Sequence, residues 1–228
     1  MSRKEVHAQR ELLCPKITYR KLQSHQRMNR TKIILAKNNT QQPSVLTENI
    51  KKWLTEIIPK LAQESFQMQR VRDELRGAKL KLTLDISGIV YSYIIRNGFD
   101  LDVIEGDIDS PHVRISVAQE SISKMADMKI VDMLIGMQKQ FTREKFELLS
   151  ELKGSAVFQL KNPNDTVSEI TVTFNNTEKP KTILRLSTQN ADLIIRGGKS
   201  LFSLLVSGEI KVEGFITFVM KLQPLFIT

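Results

Sequence analysis

Apolar residues recur at helical spacing in a stretch that begins near Ser44 or Thr47 and ends near Arg76. This spacing predicts a helix that buries one face. Pro59 lies inside the stretch and should kink or divide the helix, because proline donates no backbone N–H. The polar residues 38–45 before the helix are predicted to form a linker.

After Gly77 the spacing changes from helical to alternating, which predicts the strands of an antiparallel meander. The pattern places these strands at residues 79–86, 89–96, 99–104 and 113–117. Asn97-Gly98, between the second and third strands, is a strong hairpin signal because both residues tolerate positive φ. From residue 119 to residue 153 the pattern is helical again.

The same succession of elements occurs a second time. Glu74-Leu-Arg-Gly77 opens the first set of strands, and Glu151-Leu-Lys-Gly154 opens the second set 77 positions later. The second set is predicted at residues 156–161, 170–174, 183–187 and 193–196, with a short helix at 199–206. The fold class expected is α+β, a duplicated unit with antiparallel meander sheets and helices packed on one face.

The repeat divides the chain into four parts. We expect a basic, disordered tail and linker, an incomplete first half, a connecting helix and a second half; these cover residues 1–45, 46–130, 131–152 and 153–228.

The end of the chain resembles a known family. Gly208-Glu-Ile-Lys-Val-Glu-Gly214, followed by Phe218-Val-Met-Lys-Leu-Gln-Pro-Leu-Phe226, is similar to the closing strand and C-terminal helix of sterol-carrier-protein-2 domains. Ala191-Asp-Leu-Ile-Ile195 resembles the strand that precedes the pocket helix of that family. Ala156-Val-Phe-Gln-Leu160 resembles its opening strand, and residues 103–116 resemble the middle of the domain.

The resemblance implies a five-stranded sheet with helices on one face and an apolar tunnel between them for fatty acids, sterols or other lipids. A packed core requires the same apolar helix faces as a tunnel lining, so both interpretations remain open. The residues expected to line the tunnel are Phe158, Leu160, Val172, Phe174, Leu184, Leu186, Leu201, Phe202, Leu205, Phe215, Phe218, Val219, Leu222 and Phe226.

Two departures from the family pattern bear on the tunnel. Only residues 197–207 separate the fourth strand from the closing strand, where the family has about two helices, so one wall should be shortened. The first half has no closing strand after Lys129, so it is either an incomplete copy or borrows a strand from elsewhere.

The function expected is non-catalytic binding or transfer of an apolar ligand, since burial of each CH₂ group contributes about 0.8 kcal/mol. The alternative is a scaffold or interaction module with a closed fold that serves a partner protein. We predict no catalytic residue, cofactor or metal, because His112 is the only histidine outside the tail and no Ser-His-Asp or Cys-His arrangement is evident. Gly198-Lys-Ser200 lacks the earlier glycine of a phosphate loop, and Glu105, Asp107 and Asp109 lack the remaining features of a calcium loop.

The charge is concentrated at the start of the chain. The net charge is +9, but residues 1–40 hold ten Lys or Arg and two acids, whereas residues 41–228 hold 24 bases and 23 acids. A nearly neutral folded part argues against a nucleic-acid partner. The tail itself is interpreted as a solvated segment, an arm that contacts anionic membrane or RNA, or a mitochondrial presequence.

Cys14 is the only cysteine, which excludes an intrachain disulfide and fits a reducing compartment. We therefore expect a cytoplasmic location, with a mitochondrial one as the alternative if residues 1–40 are a presequence. The sequence shows no secretory signal and no apolar run of the roughly 18–20 residues that a membrane span needs. It does not indicate the oligomeric state.

Overall fold

The computed structural model describes residues 17–21, 45–118, 120–121 and 142–226. The helices are α1 (Val45–Lys52), α2 (Ile58–Phe66), α3 (Gln69–Glu74), α4 (Arg143–Glu151), α5 (Thr188–Ile195), α6 (Leu201–Val206) and α7 (Ile216–Leu222). A π-helical turn, Trp53–Ile57, joins α1 to α2, and a 3₁₀ turn, Gln223–Leu225, follows α7. The strands are β1 (Ile17–Lys21), β2 (Lys79–Ile86), β3 (Ile89–Arg96), β4 (Asp100–Glu105), β5 (Val113–Val117), β6 (Gly154–Lys161), β7 (Val167–Phe174), β8 (Lys181–Ser187) and β9 (Lys211–Gly214).

The strands form a single sheet in the order β1-β4-β3-β2-β5-β7-β6-β8-β9. The pairs β1–β4, β2–β5 and β6–β8 are parallel, and the other neighbouring pairs are antiparallel. The helices pack on one face of this sheet, where the apolar side chains of the alternating strands are collected. The α+β class and the one-sided helix packing are therefore confirmed, whereas the expectation of separate antiparallel meanders is wrong, because one mixed sheet joins both halves.

The fourth predicted strand of the first half, β5, exists but pairs with an unexpected partner. It lies parallel to β2 instead of continuing the meander beside β4. The connection from β4 to β5 crosses the open face of the sheet above Thr83 and Ser92, which are fully buried and hydrogen-bonded to each other at 3.0 Å. The hydroxyl of Ser92 also donates to the carbonyl of Gly106 at 2.8 Å. Small polar side chains at this crossing let the connection reach the free edge of β2.

Residues 193–196 were predicted as a strand, but residues 193–195 belong to helix α5 and Arg196 is its C-cap. The Ser187 hydroxyl accepts a hydrogen bond from the backbone N–H of Asn190 at 3.1 Å and so caps the helix. Ile194 and Ile195 are buried against the sheet, and Gly197, at φ 72°, follows the helix end in a left-handed conformation. Both α5 and α6 therefore lie between β8 and β9, and the predicted shortening of this wall is wrong.

Strand β5 serves both halves of the sheet. It is parallel to β2 on one side and antiparallel to β7 on the other, with Ile115 aligned with Leu84 and with Val172. The hairpin β2–β3 with β5 and the hairpin β6–β7 with β8 share one local topology, in which a third strand runs parallel to the first. The two halves do share a strand, but the shared strand is β5 of the first half, which pairs with β7 of the second half. The duplication of the chain itself stays a prediction.

The predicted tail contains a strand. Residues Ile17–Lys21 form β1, which pairs in parallel with β4 from Leu101 to Glu105. The prediction that all of residues 1–45 are disordered therefore does not hold for this segment. The predicted connecting helix lies partly outside the described residues, and its described part is α4.

Pro59 divides the first helical stretch as its chemistry requires. The backbone N–H of Ile58 bonds the carbonyl of Trp53 in the wider π geometry, and the next such donor would be Pro59, which has none. The carbonyl of the buried Leu54 therefore accepts no hydrogen bond from the backbone N–H of residue 58 or 59. The hydroxyl of Tyr93 donates to it at 2.6 Å, which ties the helix to β3.

Replacing Tyr93 with phenylalanine should lower the free energy of unfolding by about 1–3 kcal/mol, because the buried Leu54 carbonyl would lose this hydrogen bond. Urea unfolding of the variant measures the loss. Tyr91→Phe is the matched control, because Tyr91 lies two residues earlier on the same face of β3. This variant should lose less stability than Tyr93→Phe. Equal losses in the two variants would contradict the assigned role of the Tyr93 hydroxyl.

Candidate functional site

The middle of the sheet keeps apolar side chains partly accessible on the helix-facing side. The strands on both flanks are covered more completely, as the buried Tyr93 of β3, Val103 of β4 and Leu184 of β8 show. We call the accessible set the central strip. Its half-buried members are Leu80 and Leu82 of β2, Ile115 and Val117 of β5, Ile170 and Val172 of β7, and Phe158 of β6.

The central strip lies between two apolar clusters. One cluster joins α1–α3 to β2, β3 and β4, and the other joins α4–α7 to β5–β8. Leu82 and Ile115 contact both clusters but remain half-buried. The strip is therefore a continuous apolar surface that crosses from the first half of the chain to the second.

Helix α4 lies at one end of the central strip. The side-chain amide of Asn175, just after β7, donates to the carbonyls of Leu149 and Leu152 at 2.8 Å each. Earlier in α4, the ring of Phe146 meets His112, just before β5, edge-on with 6.0 Å between ring centroids. These contacts place α4 across the ends of β5 and β7.

A buried lysine lies in the first turn of α4. Lys145 is only 9% exposed, and its backbone N–H donates to the capping hydroxyl of Thr142 at 3.3 Å. Burial lowers the pKa of its ammonium group, and the nearby positive charge of Arg70 lowers that pKa further.

His112 is held as a hydrogen-bond acceptor beside the same helix. Its Nδ1 accepts from the backbone N–H of Lys81 at 3.2 Å. Burial, followed by the charge of Lys81, lowers the pKa of the imidazole, which favours the neutral ring that this hydrogen bond requires. The structure thus gives His112 a structural role in fixing β5 and α4.

The fourteen predicted lining residues fall into three groups. Eight are buried in the second cluster: Leu160, Phe174, Leu184, Leu186, Leu201, Phe218, Val219 and Leu222. Phe158, Val172 and Phe226 are half-buried against that cluster, and Leu205 is half-buried. Phe202 and Phe215 are 48% and 57% exposed, so they lie on the surface and not among the buried residues. The lining role of these residues stays a prediction.

Sequence reasoning missed the contribution of the first half. Leu82 and Ile115 were assigned to strands but not to the site, because the alternating pattern identifies a strand face and not the strand that will lie beside it. Lys145 was also missed, since a charged residue on a helix is expected to face solvent.

The described part of the chain contains neither a candidate metal cluster nor a helix that could span a membrane. Within residues 17–21, 45–118, 120–121 and 142–226, no three His, Cys, Asp or Glu side chains lie together as a metal site would require. None of the helices formed by these residues is both long and apolar enough to cross a membrane.

Comparison with known proteins identifies the domain that contains α4–α7. Residues 136–227 match the model of the SCP-2 sterol transfer family. This part of the chain is therefore a sterol-carrier-protein-2 domain, as its C-terminal motif predicted. The search of curated proteins returned no match.

Solved structures of similar domains were also found. Sterol carrier protein 2 from Yarrowia lipolytica (apo form) is 20% identical, with 35% of this chain and 76% of that chain covered and a TM-score of 0.29. The sterol carrier protein domain 2 of Helicoverpa armigera is 25% identical, with coverage of 45% and 84% and a TM-score of 0.32. The ubiquinone synthesis protein UbiJ-SCP2 is 10% identical, with coverage of 79% and 95% and a TM-score of 0.26. Since these TM-scores are low, the family model carries the identification.

Proposed function

We propose that this protein binds an apolar ligand, such as a fatty acid, a sterol or another lipid, and carries it without chemical change. The observation that supports the proposal is the central strip, an apolar surface in the middle of the sheet that its helices leave partly accessible. The description of the matched family, sterol transfer, supports the same class of ligand.

The physical basis of carriage is simple burial. Between Val113 and Val117, β5 extends for about 13 Å at the usual rise per residue. Each CH₂ group of a ligand buried along such a surface contributes about 0.8 kcal/mol, so a long chain is retained without a catalytic or covalent contact. The ligand would lie on Ile115 and Val172, between the two clusters.

Native mass spectrometry of the freshly purified protein, followed by lipid extraction, tests the proposal directly. We expect a co-purifying lipid of defined mass, or a mass shift after incubation with fatty acids and sterols. A protein that remains unshifted with every one of these lipids would overturn the proposal.

A substitution in the strip locates the ligand. Val172→Trp should fill part of the strip and lower lipid occupancy at least tenfold, because the indole ring would occupy the volume of the ligand. Thr171→Trp is the matched control: it places the same ring next to this position on the opposite face of the sheet and should leave occupancy unchanged. Equal occupancy in both variants would remove the strip as the binding surface.

A scaffold function is the second candidate, and exposed apolar residues favour it. Val206 of α6 is 71% exposed, and Phe215 and Ile216 at the start of α7 are 57% and 51% exposed. Together with the tight packing of the eight buried lining residues, they fit a closed domain that contacts a partner protein. The same mass measurement separates the two functions, because a scaffold should remain free of lipid.

A further inference from the structure

Strand β9 lies at one end of the sheet. Among the described residues, β8 is the only strand beside it, so the backbone N–H and C=O groups on the outer side of β9 have no strand partner there. Lys211, Glu213 and Gly214 are exposed, and Val212 is half-buried against the second cluster. An exposed edge of this kind can pair with another extended strand.

The charges on β9 are incompletely balanced by its neighbour. Lys211 lies directly opposite Arg185 of β8, and like charges in this arrangement repel each other. Glu213 forms a salt bridge with the same Arg185 at 2.7 Å. No carboxylate of the described residues forms a salt bridge with Lys211. Lys211 therefore favours a carboxylate on the side of β9 that β8 does not occupy.

An antiparallel second copy of β9 supplies that carboxylate in one register. With Val212 opposite Val212 of the second copy, Lys211 faces Glu213 of the second copy, and Glu213 faces its Lys211. A register centred on Lys211 or on Glu213 would instead place two like charges opposite each other. The strand is therefore self-complementary about Val212, as a two-fold symmetric contact requires.

The same symmetry accounts for the exposed apolar residues beside β9. Val206, Phe215 and Ile216 are the three most exposed large apolar residues of the described chain. Val206 ends α6 shortly before β9, and Phe215 and Ile216 follow the strand directly. In the pairing centred on Val212, residues just after β9 of one copy meet residues just before β9 of the other. Each copy thus brings the start of α7 beside the end of α6 of its partner, where these three side chains are covered.

We propose that the outer edge of β9 pairs with β9 of a second copy of this chain, antiparallel and centred on Val212. The two nine-stranded sheets then continue into one, and the two-fold axis normal to the sheet keeps the helices of both copies on the same face. Because each copy uses its single β9 edge, the assembly closes at two chains. The contact lies at the end of the sheet and does not depend on the proposed lipid-binding function.

Light scattering of the full chain across a dilution series tests the pairing. We expect twice the 26.1 kDa mass of one chain, with dissociation at low concentration. Lys211→Glu should raise the dissociation constant about tenfold or more, because carboxylates of the two copies then face each other at both ends of the pairing. Lys211→Glu combined with Glu213→Lys restores opposite charges in the same register and should restore the dimer.

A matched variant separates this contact from a general effect of charge. Lys79→Glu makes the same charge change at an exposed residue of the interior strand β2 and should leave the dissociation constant unchanged. Circular dichroism checks that each variant is folded, and Glu213→Lys alone provides the same test should Lys211→Glu fail to fold. An unaltered chain that is monomeric at every concentration would overturn the proposal and leave the edge to a different partner. So would a dimer that Lys211→Glu leaves intact or that the combined variant does not restore.

Discussion

Gly154→Ala should lower the free energy of unfolding by about 3–5 kcal/mol, the largest loss we expect from adding one methyl group to this chain. Gly154 has φ 133°, a region that is essentially restricted to glycine. A Cβ atom there would come within 2.7 Å of both the Phe218 ring and the backbone oxygen of Pro180. The strand β6, helix α7 and the connection before β8 converge at this point, so none of them can move away alone.

The other glycine of the repeated tetrad provides the control. Gly77 has φ 77°, but a Cβ atom there would meet no atom of the described residues within 4 Å. Gly77→Ala should therefore cost only the backbone strain, about 1 kcal/mol. Urea unfolding of both variants gives the comparison. Similar losses would show that backbone conformation alone, and not the contact with Phe218, makes glycine necessary at residue 154.

The repeated tetrad shows which structural features the sequence pattern predicts and which it does not. Each copy ends a helical pattern and starts an alternating one, and both are followed by strands at the predicted places, except that residues 193–196 are not a strand. Their glycines nevertheless differ in environment, since α7 covers Gly154, whereas no described residue would contact a Cβ atom at Gly77. Sequence pattern indicates where the chain turns but not what packs against the turn.

Local signals predicted local structure well. The Asn97-Gly98 turn lies between β3 and β4, with both residues at positive φ as the sequence required. By contrast, the partners of β5 depend on residues far away in sequence, namely Leu84 and Val172, and no short-range pattern encodes them. Non-local pairing is therefore where the predicted meanders failed.

The candidate site was predicted only in part, because it also depends on which distant elements pack together. The apolar positions of the second half were found from their periodicity, but periodicity does not distinguish a packed core from a ligand surface. Leu184 is fully buried, whereas Val172, on a strand of the same face, is half-buried. Their difference comes from which helices lie above them.

Ile115→Pro should destabilise both apolar clusters at once, by about 3 kcal/mol or more. Strand β5 has a neighbour on each side, so every backbone N–H along it is directed to β2 or β7, and proline removes one of these donors. Ile115 also contacts both clusters. Trp53, the only tryptophan, reports unfolding of the first cluster by fluorescence, and amide hydrogen exchange in β8 reports the second.

Both signals should move to lower urea concentration by the same amount, because neither half can retain its sheet when the shared strand is lost. Ile115→Val, which keeps the backbone donor and most of the side chain, should cost about 1 kcal/mol and leave a single transition. If the Trp53 signal shifted while the amides of β8 kept their protection, the two halves would be independent folding units. The ligand surface would then belong to the second half alone, since a strip that crosses β5 requires the two halves to be folded together.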